Sequence, residues 1–490
     1  MRRWHRREEP RQRALRMVVL VLFAAAAVCT LGLGLVLIGR PDETRYGESL
    51  IYDHAARLLR GEPLYQPLDG PPYTVANYTP LYYYVVAGLR AVFGPGFAPG
   101  RLISLLSGIV AAMLAGYLAG RRTRALWPAL AAAALFCGLG LVGPVPWIAA
   151  YKEDMLGVAL GLACIAVLDV TAATSRFGVV LAALFGAGAF LTKQSLIGPA
   201  LCGLVWLIAC RPRSVPLYAG VVAGSVAATA LALEASTGAF LANTVAGNTH
   251  QPFDPLTFQH NLGELVTFQI APSAIALLAL FGRRVLHDLL ALNWLGSLVP
   301  LVPLGALGAD YNYWLSFAAA SAIVASVVMW EQRGRWTGVV AGLLLGVNAI
   351  VGTQVVLRQV IGQPAYVLGE PTDSATFNGL VQRVQATAGT VLADPLDVVV
   401  LADRPILLEP ILYSLFELDR SWDPAPMVQR VCRGEIALLV LGYPIEEIGQ
   451  RFPTSVARAL RQTMQLERTV ALAGRARYVL VPGPRSSGCA

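Results

Sequence analysis

Charge is scarce in this sequence, and lysine is almost absent. Only 14% of the 490 residues are Asp, Glu, Lys or Arg, whereas soluble domains carry about 25%. The charges fall in short clusters, and apolar runs of roughly 18–23 residues separate them, each long enough to cross a ~30 Å hydrocarbon core as a helix. This pattern argues against an ordinary soluble enzyme and predicts a protein that spans the membrane several times.

Signatures of metal and haem chemistry are also lacking. The 7 cysteines and 5 histidines show no spacing typical of a zinc or haem site. Most of the cysteines lie in apolar runs as small buried residues, while Cys432 and Cys489 could pair in an extracytoplasmic domain. We therefore expect no metal and no cofactor, although a divalent metal is left open.

Arginines at the ends of the apolar runs set the topology. The net charge of +8 comes from these positions and from an Arg-rich tail at 1–16. The tail indicates a topology signal or a contact with anionic lipid. We expect no binding of nucleic acid. With this tail in the cytoplasm, every basic cluster between spans falls on the cytoplasmic side, and the C-terminal end lies outside. The predicted spans are 17–39, 102–120, 125–143, 153–172, 177–191, 195–210, 215–233, 264–282, 286–305, 313–330 and 336–357.

The predicted fold is an all-α polytopic membrane bundle of about eleven transmembrane helices with a C-terminal extracytoplasmic α/β domain. The bundle occupies 17–357, with a first outer loop at 40–101, and the α/β domain occupies 358–490. Short β-branched runs at 390–393, 398–402, 436–441 and 478–481 alternate there with helical patterns at 377–388, 426–433 and 455–465. This domain has no Gly-rich phosphate loop and no nucleophile elbow, so we assign it no catalysis. It could bind the acceptor or cover the site.

The first outer loop carries the most chemistry. An Asp-Glu pair, Asp42 and Glu43, follows the first span, and apolar residues at helical spacing then predict an amphipathic surface helix over 47–60. A second helix is predicted within 80–93. Elsewhere on the predicted outer face lie both lysines of the chain, Lys152 and Lys193.

The order of these elements resembles the GT-C glycosyltransferases, polytopic enzymes that use polyprenyl-phosphate-linked sugars. The bacterial branch near the protein O-mannosyltransferases and the lipid A aminoarabinose transferase is most similar. The resemblance covers roughly 17–330. It rests on Asp42-Glu43, Tyr46, Leu58-Leu59-Arg60-Gly61, Tyr65, Pro80-Leu81-Tyr82-Tyr83, Gly94, Arg101-Leu102-Ile103-Ser104, Lys152-Glu153-Asp154, Leu191-Thr192-Lys193-Gln194 and Asn312-Tyr313.

The resemblance implies an inner-membrane transferase that moves a sugar from polyprenyl phosphate to an envelope glycan, lipid or protein. An acceptor hydroxyl needs a general base, the oxocarbenium-like transition state needs a nearby anion, and the leaving phosphate needs cations. A single carboxylate base makes inversion the expected outcome. Asp42, Glu43 and Asp154 are the catalytic candidates, and the substrate-binding candidates are Lys193, Lys152, Glu153, Arg101, Tyr46, Tyr82 and Asn312, with Arg90 as a further cation for the phosphate.

Simpler interpretations exist for most of these residues. Asp42-Glu43 and Glu153-Asp154 could cap the helices that follow them, and the lysines could extend to the membrane interface. A transporter of a lipid-linked substrate and a non-catalytic assembly subunit are the alternative functions. Transporters usually contain internal repeats, and this sequence shows none. Its acidic residues also gather at one membrane face instead of the bilayer centre, which argues against a transporter.

Overall fold

The computed structural model describes residues 10–140, 147–171, 175–280, 285–333, 335–362, 371–472 and 475–484. Sequence features at Arg2, Arg3, Arg6, Arg7, Arg283, Arg284 and Cys489 lie outside the described residues. The α-helices, numbered in chain order, are α1 Pro10–Ile38, α2 Glu48–Leu59, α3 Leu81–Phe93, α4 Ala98–Thr123, α5 Leu126–Leu135, α6 Asp154–Thr171, α7 Arg176–Thr192, α8 Gly198–Cys210, α9 Val215–Thr237, α10 Gly247–Thr249, α11 Pro255–Leu280, α12 Leu289–Gly296, α13 Leu315–Glu331, α14 Trp336–Gly362, α15 Pro371–Ala386, α16 Asp397–Leu401, α17 Pro410–Leu418, α18 Ala425–Cys432 and α19 Thr454–Thr463.

Each predicted span coincides with a helical segment, and the chain is a multi-pass membrane protein. Among the described residues, seven segments are long and apolar enough to cross a membrane: Pro10–Ile38, Ala98–Thr123, Asp154–Thr171, Pro212–Thr237, Pro255–Leu280, Tyr311–Glu331 and Trp336–Gln354. The other four predicted spans match shorter apolar segments, which are Leu126–Gly138, Arg176–Thr192, Gln194–Cys210 and Leu289–Gly305.

Two membrane helices begin before their predicted boundaries, and an unread capping signal explains the first of them. Helix α11 begins at Pro255, inside a segment that we predicted to be an outer loop up to Glu264. The Asp254 carboxylate accepts hydrogen bonds from the backbone N–H and the hydroxyl of Thr257, at 2.8 and 2.6 Å. An acidic cap followed by proline is a strong helix start. Helix α1 likewise begins within the predicted tail.

Small residues bring the membrane helices close together. A Cβ at Gly116 of α4 would lie 2.7 Å from the carbonyl oxygen of Ala129 in α5, and one at Gly108 would lie 2.4 Å from the Ile148 side chain. Close backbone approach at glycine is typical of helix packing in lipid, where no hydrophobic effect drives helices together. These contacts hold the segment at 147–153 against α4, where it carries part of the site.

The two predicted helices of the first outer loop are confirmed as α2 and α3. They have 12 and 13 residues, which is too short to span a bilayer. Residues Glu48 to Arg57 of α2 are all buried, so this helix is covered by protein and does not lie open along the membrane surface.

The C-terminal domain contains a four-stranded mixed sheet. The strands are β1 Thr390–Asp394, β2 Ile436–Leu441, β3 Met464–Leu472 and β4 Arg475–Pro482, in the order β1-β2-β4-β3. Strands β1 and β2 are parallel, whereas β4 runs antiparallel to β2 and to β3. Helices cover this sheet, which confirms an α/β domain. Cys432 is disulfide-bonded.

Two strand assignments in this domain were wrong. The predicted strand at 398–402 belongs to helix α16, whose valines are all buried, and periodicity cannot separate a short buried helix from a buried strand. Strand β3 was not predicted. Its residues between Gln465 and Thr469 are exposed, so this edge strand lacks the alternating apolar pattern that marks a half-buried strand.

The C-terminal domain lies directly on the first outer loop. Residues of both regions form one buried apolar cluster, in which Leu50 and Tyr83 lie with Val398 and Leu438. The backbone of Tyr73 also pairs with the domain, donating to the Leu407 carbonyl and accepting from the Glu409 N–H, both at 2.8 Å. The first loop and the C-terminal domain therefore occupy the same end of the helical bundle.

Candidate active site

Three adjoining cavities lie where the bundle, the first loop and the C-terminal domain meet. The central cavity has a volume of about 160 Å³. It shares Tyr78, Gln251 and Tyr313 with a lateral cavity of about 410 Å³, which includes the exposed side chains of Phe253 and Val302. It shares Arg45, Tyr46 and Asp310 with a domain cavity of about 670 Å³, whose remaining wall comes largely from the C-terminal sheet. The lateral cavity, which is lined by Lys193 as well as by Phe253 and Val302, thus continues through the central cavity to the domain cavity.

Lys193 forms a buried cluster with the acids that open α6. Its ammonium lies 2.7 Å from Asp154 Oδ1 and 2.9 Å from Glu153 Oε1, and it also faces the rings of Tyr78 and Tyr313. Burial lowers the pKa of Lys193, but the charges of Asp154 and Glu153 outweigh it and hold this pKa well above its ordinary value. Burial raises the pKa of Glu153. Asn312 donates to the same Asp154 oxygen at 3.2 Å.

Lys152 differs from Lys193 in having no ion-pair partner among the described residues. Its side chain lines the central cavity and is only 8% exposed. A Cβ at Gly47, whose φ is +86°, would lie 2.5 Å from the ammonium. Only glycine suits both this backbone conformation and the close approach. Lys152 therefore faces the cavity without an ion-pair partner among the described residues, while its charge acts on the carboxyl groups of Glu153 and Glu409.

Substitution by methionine should affect the stability of the protein differently at the two lysine positions. We expect Lys193→Met to destabilise the protein by about 3–5 kcal/mol, because it leaves two buried carboxylates uncompensated. Lys152→Met breaks no ion pair, so its melting temperature in detergent should stay close to that of the wild type. Equal melting temperatures for the two variants would contradict the arrangement of the Lys193 cluster.

The acid pair of the first loop is held by buried arginines. Arg40 donates to both carboxylate oxygens of Asp42, at 2.9 and 2.8 Å. Arg101, which is fully enclosed, binds Glu48 at 2.7 Å and donates to the backbone carbonyls of Arg40 and Asp42 at 2.6 and 2.7 Å. This network shapes the loop that presents the pair. Arg101, a predicted phosphate ligand, is instead engaged by Glu48 and by the backbone of this loop.

Glu43 lines the domain cavity, and its environment favours the protonated form. Burial, followed by the nearby charges of Asp397 and Glu48, raises the pKa of Glu43 from 4.5 to about 8. Its carboxyl group accepts a hydrogen bond from the Ser49 hydroxyl at 2.9 Å. Its backbone N–H donates to Asp397 of the C-terminal domain at 3.1 Å, and Arg477 donates to the same Asp397 oxygen at 2.9 Å.

The raised pKa of Glu43 predicts a pH-dependent stability. The folded protein binds this proton more tightly than the unfolded chain, so the stabilisation is complete below about pH 4.5 and is lost as pH rises through about 8. We expect the melting temperature to fall between about pH 5 and about pH 8.5, and to fall less in Glu43→Gln. The control is Glu447→Gln at an exposed position, which should keep the wild-type slope; an unchanged slope in Glu43→Gln would refute the buried, protonated state.

The other predicted site residues divide into two groups. Tyr46 and Asn312 line the central cavity, and Tyr46 also faces Arg451 of the C-terminal domain. Tyr82 is fully buried, with its hydroxyl 3.2 Å from the Gly100 carbonyl and from Ser104 Oγ. Arg90 lies over the Tyr52 ring at 3.9 Å. Tyr82 and Arg90 thus support the packing of the first loop.

Sequence reasoning missed several residues of these cavities. Arg45 bonds Asp310 at 3.2 Å and lies over the Trp147 ring, and it lines both polar cavities. Tyr78 was not selected as a site residue, although it lines both the lateral and the central cavities. Glu409 reaches the central cavity from the C-terminal domain. Only the position of Arg45, just after the acid pair, gave a local signal that could have found it.

The architecture matches solved structures over nearly its whole length. ArnT from Cupriavidus metallidurans matches in the apo state with a TM-score of 0.61 and 15% identity, over 95% of this chain and 98% of ArnT. The same protein bound to undecaprenyl phosphate gives 0.60 and 15%, over 96% and 98%. Both are GT-C structures. The chain has the GT-C fold.

A second GT-C protein supports this result. The oligosaccharyltransferase AglB from Archaeoglobus fulgidus, in complex with an inhibitory peptide and a dolichol-phosphate, matches with a TM-score of 0.54 and 13% identity, over 98% of this chain and 75% of AglB. No family model and no curated protein matches the sequence. The GT-C fold confirms the resemblance drawn from the sequence at the level of architecture, while the roles of individual residues remain predictions.

Proposed function

We propose that the protein is an inverting membrane glycosyltransferase that moves a sugar from a polyprenyl-phosphate donor to an envelope acceptor. The observation that carries this proposal is the ammonium of Lys152, which has no ion-pair partner among the described residues and faces a cavity that borders the lateral and the domain cavities. A lysine ammonium is a common ligand for phosphate. The exposed side chains of Phe253 and Val302 at the lateral cavity suit a polyprenyl chain, and the domain cavity suits a hydrophilic acceptor.

The reaction forms a bond between the acceptor oxygen and the anomeric carbon, and breaks the bond from that carbon to the phosphate. In our proposal Asp42 takes the acceptor proton, and Glu43 shares this role or orients the substrate. Lys152 stabilises the charge that develops on the leaving phosphate, with Lys193 as a second cation. Asp154 and Glu153 hold Lys193 and offer an anion near the sugar, while Asn312 and Tyr46 contact the substrate.

The arginines support a cytoplasmic N-terminus and an extracytoplasmic site. At one end of the bundle Arg121 pairs with Asp169 at 2.6 Å and Arg122 pairs with Asp288 at 2.9 Å, and Arg16 lies over Trp330. Clusters of this kind favour the cytoplasmic face. The disulfide at Cys432 suits an oxidising compartment, so the C-terminal domain and the first loop are assigned to the outer face.

A reporter fusion tests this orientation. Alkaline phosphatase, which is active only in the periplasm, should be active when fused after Pro484, and a cytosol-only reporter at the same position should be silent. Fusions after Arg213 should give the reverse pattern, since this residue lies in a predicted cytoplasmic loop. Cytosolic activity after Pro484 would overturn the orientation.

The function is tested with purified protein and a panel of undecaprenyl-phosphate-linked sugars. Released undecaprenyl phosphate and a glycosylated acceptor from an envelope extract are the expected products. The variant that replaces both Asp42 and Glu43 by their amides controls for contaminating activity. A wild-type protein that releases no more undecaprenyl phosphate than this variant, with every donor, would refute the proposal. Intact donor carried across a vesicle membrane would instead support a transporter.

A further inference from the structure

The C-terminal domain extends one carboxyl group into the central cavity. Glu409 precedes helix α17, and its side chain lines the same cavity as Lys152 while remaining only 2% exposed. The mechanism proposed above does not use it. A buried carboxyl group needs compensation, which Glu409 obtains from the Val75 N–H, from Tyr46 and from the Lys152 charge while it lines the cavity.

The position of Glu409 is fixed from both sides. The backbone at 407–409 pairs with Tyr73 of the first loop, as described above, and the Tyr413 hydroxyl donates to the Leu68 carbonyl at 2.8 Å. Tyr73, Tyr413 and Trp422 form an aromatic cluster with ring centroids 5.0–5.6 Å apart. One carboxyl oxygen of Glu409 accepts a hydrogen bond from the Val75 N–H at 3.2 Å. The carboxyl group is therefore held rigidly.

The surroundings of Glu409 favour its protonated, uncharged form, which suits a neutral ligand. Burial raises the pKa of Glu409 to about 8, against smaller lowering effects that include the Lys152 and Arg57 charges and a hydrogen bond with Tyr46. At neutral pH a protonated carboxyl group both donates and accepts hydrogen bonds. A sugar hydroxyl, which is itself both a donor and an acceptor, can form hydrogen bonds with such a group, whereas a phosphate group favours cations.

We propose that Glu409 binds a hydroxyl group of the donor sugar while Lys152 binds the phosphate of the same donor. This inference rests on the proposed function and gives the C-terminal domain a part in sugar recognition, where the sequence offered only acceptor binding or cover. It also explains why the domain is paired through its backbone to the first loop, because that pairing sets the separation between Glu409 and Lys152.

Measured affinities for a lipid with the sugar and for a lipid without it distinguish the sugar contact of Glu409 from the phosphate contact of Lys152, and they do not require turnover. Undecaprenyl phosphate and undecaprenyl-phosphate-linked sugars are titrated into protein in nanodiscs. We expect Glu409→Leu to weaken binding of the preferred sugar-bearing lipid by about tenfold, as for a lost buried hydrogen bond, and to leave the bare lipid unchanged. Glu409→Gln, which keeps a donor and an acceptor, should bind both lipids within about threefold of the wild type. Lys152→Met should weaken both lipids.

Glu417, in the helix α17 that Glu409 precedes, provides a matched control. Its carboxylate also accepts a hydrogen bond from a backbone N–H, that of Ser455 at 3.0 Å, but it is half-buried and does not line the central cavity. Glu417→Leu should bind both lipids normally. Wild-type affinity of Glu409→Leu for the sugar-bearing lipid would overturn the inference, as would equal losses in both leucine variants. If Glu409→Leu fails to fold, loss of the sugar preference in Glu409→Asp, whose carboxyl group is set back, supports the inference and its retention overturns it.

Failure of the proposed function gives a different result. A wild-type protein that binds the sugar-bearing lipid through Glu409 but releases no undecaprenyl phosphate would refute transferase activity and leave the sugar contact in place. A wild-type protein that transfers sugar and binds both lipids equally, whatever stands at position 409, would refute the contact and leave the transferase intact.

Discussion

Replacement of Asp42 by asparagine should lower turnover by about 10²–10⁴-fold, the usual contribution of a general base. Asparagine keeps the size of the side chain and can still accept a hydrogen bond from Arg40, which contacts both carboxylate oxygens at 2.9 and 2.8 Å. Donor binding should change much less, because the lost interaction belongs mainly to the transition state. Initial rates at saturating donor, together with donor affinity, check both parts.

Two comparisons make the Asp42 result decisive. Asp69→Asn alters an exposed acid of the same loop and should leave turnover unchanged. Near-normal turnover in Asp42→Asn would remove Asp42 from the mechanism. Glu43, which lines the domain cavity, would then be the first candidate for the base, followed by Asp154. Turnover of Asp42→Asn therefore decides whether Asp42, which pairs with Arg40, also serves as the base.

Replacement of Lys152 by methionine should lower kcat/KM by about 10²–10³-fold, the typical effect of losing one preorganised group that stabilises developing charge. The variant removes a cation that has no ion-pair partner among the described residues and that lines the central cavity. Its fold should be intact, because no buried charge is left uncompensated. Single-turnover rates with a labelled donor measure the effect.

A first-loop cation serves as the control for Lys152. Arg60 lies at the end of α2 and pairs with Glu62 at 2.7 Å, and both side chains are more than a third exposed. Arg60→Met should therefore retain full activity. If Lys152→Met retains activity as well, the phosphate site must lie elsewhere, and Lys193 with its two acids would be the remaining lysine centre.

The membrane architecture could be predicted because its causes are local. Apolar runs set the spans, while the orientation assigned from the arginines stays a prediction. Local signals failed where tertiary contacts decide the structure. The run at 398–402 has the composition of a strand, yet it forms part of helix α16 because the first loop and the sheet bury it on all sides.

The lysines show the same limit within the site. Their rarity and their position at predicted outer ends of spans marked both as candidates, and the sequence assigned them one role. The contacts distinguish the two lysines, since Lys193 is paired with Glu153 and Asp154 whereas Lys152 faces a cavity. Glu409 could not be found at all, because it lies more than 300 residues from the loop it contacts.

The mass of the lipid after incubation with purified protein tests the proposed activity most directly. We predict that an undecaprenyl-phosphate-linked sugar is converted to undecaprenyl phosphate by the wild type in the presence of an envelope extract. Conversion should be lower by at least about 10²-fold in Asp42→Asn. An intact donor after incubation with folded wild-type protein and every sugar of the panel would contradict glycosyl transfer.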